Sequence, residues 1–384
     1  MELKTDNQNV DIVILGTAHP LRGGLANYNH RLADEYLAQG FHVKIISFSL
    51  QYPNFLFPGK SQFSDEPAPN LDIETKLNSI NPLSWIAVGN YIRKLKPKML
   101  IIKFWIPFMG PALGTVARIA RKNKVTKVIS IIDNIIPHEH RLGDRMLAAY
   151  FVGAVHGFVT MSDSVLKDLA TFTSKPALMT PHPIYDNFGA KMLRESALEQ
   201  LKLDASARYI LFFGFIRDYK GLDLLLHAMA DVRMKNRNVK LIVAGEFYTD
   251  AQPYLDIIQS KELQSQVILA TDFIPDSKVG LYFSACDLVV QPYKDATQSG
   301  VTQVAYSFEK PMVVTNVGGL AEIVPHGKTG YVVDVDPLKI ADAMVDFFQN
   351  NREAEMVANC AVEKKKYSWS VLTEKIEKIV SLIN

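Results

Sequence analysis

Cysteine is almost absent: Cys286 and Cys360 are the only two in 384 residues. They lie far apart and match no metal-ligand or redox spacing. This excludes a disulfide scaffold and fits a reducing, cytosolic compartment. Long apolar runs are missing too. None reaches the ~18 residues that a membrane span needs, and the nearest candidate, Met99 to Ala120, is interrupted by Lys103, Pro107 and Pro111. Nor is there a charge excess. Forty-two Lys and Arg against 40 Asp and Glu give a net charge of +2, with no long basic block. That argues against nucleic acid as the main partner. The pI of 8.3 permits weak attraction to an anionic membrane surface without requiring it. Met1 to Asn9 is polar and lacks the basic-then-apolar layout of a signal peptide. The expected location is therefore cytoplasmic, with peripheral contact at the inner face of a membrane permitted. Low-complexity segments and short internal repeats are also lacking.

What is present is length, an ordinary apolar content of 48% and a regular rhythm. Domains of ~100–200 residues make two the default count. The runs Val10–Leu15, His42–Phe48, Met99–Phe104, Lys127–Ile132 and His156–Met161 read as buried parallel strands. So do Tyr209–Phe213, Val239–Ala244, Gln266–Ala270, Leu288–Gln291 and Pro311–Thr315. They are β-branched and apolar without alternation, as strands covered on both faces are. Helical patterns such as Tyr28–Gln39, Trp85–Leu95 and Leu222–Arg233 lie between them. Strands alternating with helices predict doubly wound parallel sheets of the α/β class. Two segments break the rhythm. Tyr52 to Asn81 reads as a loop at the ligand-bearing end of the first sheet, and Ser174 to Ala207 holds the interdomain linker. The expected division is 1–185, a linker at 186–205, 206–368, and a last helix, 369–384, that packs back on the first domain. Ligands of open α/β sheets sit at the carboxyl ends of strands, so two such sheets place the site in the cleft between them.

The residues that end strands therefore matter most. After Tyr209–Phe213 comes Gly214-Phe-Ile-Arg217-Asp-Tyr-Lys220-Gly221, then the helical pattern Leu222, Leu225, Leu226, Met229. Two cations three positions apart at a strand-to-helix turn suit a diphosphate. The helix N-terminus adds roughly half a positive charge and open N–H groups. The alternative is a surface turn with solvated charges. After the first strand, Gly23-Gly24 lets backbone approach a ligand. This is not G-x-G-x-x-G, and the second strand ends without an acidic residue, which disfavours a nicotinamide enzyme.

Asp133-Asn-Ile-Ile-Pro-His138-Glu139-His140 gathers titratable groups at one strand end. His138 and Glu139 suit sugar hydroxyls or proton transfer; the alternative is that Glu139 and His140 are solvated loop residues and one of the histidines caps a helix. Two histidines without a third ligand do not make a metal site. Asp295-Ala-Thr-Gln298-Ser299-Gly300-Val301 opens a helix with small and hydroxyl residues. Asn316-Val-Gly318-Gly319-Leu-Ala-Glu322 is a further glycine turn, where Glu322 either meets a hydroxyl or favours the helix's first turn. Asp334-Val-Asp336 is read as a chance D-x-D, remote from the glycine loops. The apolar stretch Phe104–Met109 is read as a buried loop rather than a contact surface.

Together these residues resemble glycosyltransferase family 4, the retaining transferases of GT-B fold. The resemblance spans nearly the whole chain. It rests on Gly23-Gly24-Leu25-Ala26, Asp133 to His138, Gly214 to Gly221, Val317-Gly318-Gly319-Leu320-Ala321-Glu322, Gly327-Lys328-Thr329-Gly330 and Tyr367-Ser-Trp369. It implies two Rossmann-like domains facing across a cleft. It also implies that Arg217 and Lys220 hold the diphosphate of a nucleotide-sugar donor, approached by Gly23 and Gly24 and lined by Gly214. Phe273 and Ile274 would line the base. Gln298, Ser299, Gly300 and Val301 would meet donor sugar and phosphate, with Glu322 also on the donor side. The family's first-domain histidine falls on Asp133, with His138 a few residues later. The family's pair of glutamates, eight positions apart, falls on Ala296 and Val304, so neither carboxylate is present. Glu246, just past Val239–Ala244, is a substitute for the ribose contact.

The implied activity is transfer of a sugar, with retention, from a UDP- or GDP-sugar to a saccharide or lipid-linked acceptor in cell-surface polysaccharide synthesis. No cofactor or metal is implied. The alternative is a non-catalytic nucleotide-sugar-binding protein or assembly partner. A third reading keeps the fold and changes the chemistry, to an epimerase or a phosphorylase.

Overall fold

The computed structural model describes residues 10–53, 61–136, 143–296 and 299–383. The chain forms two compact units: Met1–Pro181 with Trp369–Asn384, and His182–Ser368.

The first unit holds seven strands: β1 (Ile12–Leu15), β2 (Val43–Leu50), β3 (Ile73–Asn78), β4 (Met99–Phe104), β5 (Lys127–Ile132), β6 (Gly157–Thr160) and β7 (Ala177–Met179). They lie in the order β3-β2-β1-β4-β5-β6-β7, and every pairing is parallel. The apolar runs explain the central strands, since β1, β4 and β6 are buried throughout. Phe104 stacks on Phe151 at 4.2 Å within this core. Two strands differ from expectation. β3 lies inside the segment read as a loop. Its sequence, IETKLN, is largely polar and only Leu77 is buried, as in an edge strand, so it offers no apolar run. β7 has three residues and lies inside the segment read as the linker region.

The second unit holds β8 (Arg208–Phe213), β9 (Val239–Ala244), β10 (Val267–Ala270), β11 (Leu288–Gln291), β12 (Met312–Thr315) and β13 (Gly330–Val333). Their order is β10-β9-β8-β11-β12-β13, again all parallel. β13, unexpected from sequence, is a four-residue edge strand opened by a glycine. Leu222, Leu225, Leu226 and Met229 recur at helical spacing and are at most 1% exposed, sealing one face of the sheet. Residues 186–205 lie in this unit, where Arg194 pairs with the buried Asp287 at 2.9 Å.

In each unit the connections reverse direction beside one central strand, β1 in the first and β8 in the second. Such switch points open a crevice at the strands' carboxyl ends. The helix Trp369–Leu382 clusters with the first unit. There the Trp369 and Tyr28 rings are 4.9 Å apart. Trp105 Nε1 donates to the Tyr52 hydroxyl at 2.6 Å, while Phe104, Pro107 and Met109 are buried, so the Phe104–Met109 stretch is packed inside. Asp336 caps the helix Pro337–Gln349 by accepting from Leu338 N–H. Among the described residues no cluster of His, Cys, Asp and Glu could hold a metal, and no helix is long and apolar enough to cross a membrane. Cys286 and Cys360 are buried unpaired thiols, and burial pushes both up to about 12, so neither is a nucleophile.

Candidate functional site

In the second unit the switch point lies between β8 and β11. Past β8 the chain turns at Gly214, where Ile216 N–H donates to the Glu246 carbonyl at 2.8 Å and Tyr248 N–H to the Ile216 carbonyl at 3.0 Å. The loops after β8 and β9 are thus one hydrogen-bonded layer. A short turn, Asp218–Lys220, follows and ends at Gly221, with φ of 68°. A Cβ at Gly221 would lie 2.0 Å from the Pro292 carbonyl oxygen, so only glycine lets the loop after β11 come this close. Lys294 N–H then donates to the Tyr219 carbonyl at 2.7 Å.

This layer arranges charge in a specific way. Lys294 Nζ takes both nearby carboxylates, Asp218 at 2.8 Å and Asp223 at 3.1 Å. Arg217 and Lys220 form no ion pair among the described residues. The Arg217 guanidinium lies over the Tyr248 ring at 4.9 Å, and Lys220 Nζ is 5.6 Å from the Tyr293 ring centroid. Burial, then the Arg217 charge, pushes the Lys220 ammonium down to about 8. A Cβ at Gly214 would meet Lys220 Nζ at 3.0 Å and Val301 Cγ2 at 3.7 Å, so these three residues converge. The helix Leu222–Met229 starts directly behind them. The outcome is a concentration of uncompensated positive charge at a strand-end crevice, which is what an oligo-anion needs.

The other residues expected to meet a donor fall in several places. Phe273 lies 6.4 Å from Phe215, which is 4.2 Å from Tyr248, so three half-buried aromatics border the same loops. Ile274 is half-buried in the turn after β10. Glu246 is 3% exposed at the end of β9, joined to the β8 loop through its carbonyl. Ser299 occupies the N-cap position of the helix Gly300–Ser307 without a side-chain cap hydrogen bond. Its hydroxyl donates to Gln291 Oε1 at 2.6 Å and lies 3.2 Å from the Tyr293 hydroxyl, so its polar contacts point inward. Gly300 packs on Tyr185, since a Cβ there would meet that ring at 3.0 Å. Glu322 is exposed on the short helix Leu320–Ile323 and bonds to none of the described residues. Ala296 and Val304 are 6% and 4% exposed. Gln298 and His138 lie outside the described residues. A concavity of 340 Å³ lined by His227, Asp231, Lys261 and Leu338 includes none of these residues, so its size carries no weight against the charge argument.

The first unit presents its own switch point between β1 and β4. The loop after β1 is pinned by Ser47 Oγ, 2.9 Å from both Ala18 N and Ala18 O, and by Asn29 Nδ2 donating to the Thr17 carbonyl at 2.8 Å. It ends at Gly23, with φ of 101°, where a Cβ would meet nothing within 4 Å. Gly24 is exposed and starts the helix Gly24–Ala38. Asp133 follows β5, and its carboxylate accepts from Lys103 Nζ at 2.7 Å. Burial raises the Asp133 carboxyl, and the Lys103 ammonium opposes that rise.

Sequence reasoning passed over Lys103, Lys294, Tyr248 and Tyr293. Lys103 counted only as an interruption of an apolar run. A lysine inside a fully buried strand was itself the available signal, because such a charge needs a partner. Nothing local marks Lys294, whose acid partner Asp218 lies 76 positions away.

Known proteins bear on this arrangement. Residues 207–350 match the family described as glycosyl transferases group 1. The D-inositol 3-phosphate glycosyltransferase of Corynebacterium diphtheriae is 26% identical over 198 residues, 50% of this chain and 46% of that protein. The lipopolysaccharide 1,2-N-acetylglucosaminetransferase of Salmonella typhimurium is 28% identical over 196 residues, 48% of this chain and 51% of that protein. The chain thus spans about half the length of these curated relatives. Sucrose-phosphate synthase from Thermosynechococcus elongatus superposes with a TM-score of 0.74 at 16% identity, covering 97% of this chain and 98% of that one. Anabaena HepE, solved in complex with UDP, gives 0.73 at 16%, covering 97% and 100%. These superpositions show the fold, two Rossmann-like parallel-sheet domains of the GT-B class. The family match lies within the second unit.

Proposed function

We propose that the protein is a retaining glycosyltransferase that moves a sugar from a UDP- or GDP-sugar to a hydroxyl of a saccharide or lipid-linked acceptor, in synthesis of a cell-surface polysaccharide. One observation carries the reading. Lys294 engages both Asp218 and Asp223, while Arg217 and Lys220, on the same turn, pair with no carboxylate among the described residues. A diphosphate leaving the donor sugar gains negative charge as the glycosidic bond breaks. Two fixed cations and the N-terminus of the helix Leu222–Met229 stabilise that charge without reorganising at the moment of reaction. They supply the charge that a metal ion supplies in other transferases. In this reading Gly214, Ser299, Gly300 and Val301 offer backbone to the phosphates. Phe273 and Ile274 border the base, Glu246 serves the ribose, and Asp133 with His138 faces the sugar.

The test is a panel of sugar nucleotides with candidate acceptors, followed by released UDP or GDP and by the anomeric configuration of the product. Release that depends on acceptor and disappears in Arg217→Ala/Lys220→Ala supports transfer. Near-normal turnover in a folded double variant overturns it. A second reading, a nucleotide-sugar-binding protein without transfer, draws on the buried, apolar Ala296 and Val304 at the positions of the family's glutamate pair. It predicts a ligand-dependent rise in melting temperature with no nucleotide released.

A further inference from the structure

Lys103 is the last residue but one of β4, and it is 2% exposed. Its ammonium lies 2.7 Å from Asp133 and 3.4 Å from the centroid of the Tyr28 ring. Asp133 is held a second way, because its N–H donates to the carbonyl of Phe104, the neighbour of Lys103 in β4, at 2.9 Å. Tyr28 is fully buried and belongs to the helix that Gly24 opens. One ammonium therefore ties together the ends of β4 and β5 and the helix behind the Gly23 loop. The order of the pair is also defined. The Asp133 side chain is 21% exposed and that of Lys103 2%, so the carboxylate is in front and the ammonium behind it. A buried ion pair contributes little net stability compared with apolar packing. What it does supply is geometry, because an ammonium fixed by a strand holds a carboxylate in one rotamer.

We propose that Lys103 is a positioning residue, which fixes the Asp133 carboxylate and the face of Tyr28 in one arrangement at the ligand-bearing end of the first unit. The proposal rests on the transferase reading for what Asp133 then does, but the pair can be tested without it. Two measurements on the full chain decide. The first is steady-state transfer by Lys103→Met, Asp133→Asn and the double variant. Lys103→Met should lower kcat by about 100-fold, as misplacement of a reacting group does. Donor KM should stay within about twofold, the mark of an interaction realised in the transition state. Lys103→Arg should recover part of the loss, and the double variant should be no slower than Asp133→Asn alone. The second is a carboxyl titration of ¹³C-labelled Asp133 by NMR, which should move upward in Lys103→Met, since the stabilising cation is gone. Wild-type kcat in folded Lys103→Met, multiplied losses in the double variant, or an unmoved Asp133 titration would each overturn the proposal. If Lys103→Met does not fold, Lys103→Gln, which removes the charge but keeps a donor, is read by the Asp133 titration, which should still move upward. A wild-type chain silent on every sugar nucleotide sinks the transferase reading, while the titration still decides the pair.

Discussion

At the carboxyl end of the first unit's sheet a buried lysine faces a carboxylate 2.7 Å away. At the same end of the second unit's sheet Lys220 and Arg217 have no carboxylate partner among the described residues, and the acids nearest to them in sequence belong to Lys294. The two ends share a topology and differ in how their charge is balanced. A charge balanced inside the protein serves architecture, since it is satisfied before any ligand arrives. A charge left unbalanced and partly desolvated costs stability, and a fold keeps it where a ligand of opposite sign completes it. This difference supports the proposed anion site in the second unit and the proposed positioning role of the lysine in the first.

The largest effect should come from emptying the unbalanced end. Arg217→Ala and Lys220→Ala should each lower donor kcat/KM by about 100- to 1,000-fold, as loss of one transition-state donor does. Asp218→Asn, whose carboxylate is already paired with Lys294, should change it far less. Equal losses in Asp218→Asn and Lys220→Ala would break the comparison. Next in size are stability effects of opposite sign, read by denaturant titration at pH 7. Lys103→Met strands a buried carboxylate and should cost about 3–5 kcal/mol. Lys220→Met removes an ammonium that is strained by burial and by Arg217. It should stabilise the fold by about 1–3 kcal/mol, allowing for the water that reaches part of the side chain. Destabilisation by both substitutions would show that Lys220 is balanced by something other than a ligand.

Much of this fold is readable from composition along the chain. Central strands such as β1 and β9 are mostly valine, isoleucine and leucine because both faces are covered, and that burial is written locally. β3, β7 and β13 escaped because short edge strands have one covered flank and no continuous apolar pattern. The site divides in the same way. Gly214, Arg217 and Lys220 sit on one turn, so their chemistry shows in eight consecutive residues. The balancing charges do not. Lys103 meets Asp133 because β4 and β5 are paired in a definite register, and Lys294 meets Asp218 because β8 and β11 are neighbours. Ser299 teaches the same lesson. Its hydroxyl looked available at a helix start, yet Gln291, eight positions earlier, accepts its hydrogen bond.

The smallest effect, and the one that separates the two lysines most finely, is on pH. Burial and Arg217 hold the Lys220 ammonium down to about 8. Below that pH it is charged and, in the proposed reading, meets the diphosphate as a cation. Above it the proton is lost, so donor affinity should fall with rising pH by up to about tenfold per unit, until the ligand's own stabilisation of the ammonium is overcome. The stability linkage has the opposite sign. A lysine depressed from 10.5 to about 8 penalises the folded state fully below pH 8. That penalty is relieved as pH rises towards 10.5, because folded and unfolded chains then both hold the neutral amine. The stability advantage of Lys220→Met over wild type should therefore shrink between pH 8 and 10.5 while donor binding by wild type weakens over the same interval. Calorimetric titration with UDP and GDP at pH 7 and pH 9.5 reads the first, and melting curves of both proteins read the second. A donor affinity that is flat across this interval in wild type, with Lys220→Met also flat and equally tight, would remove Lys220 from the anion site and leave Arg217 there alone.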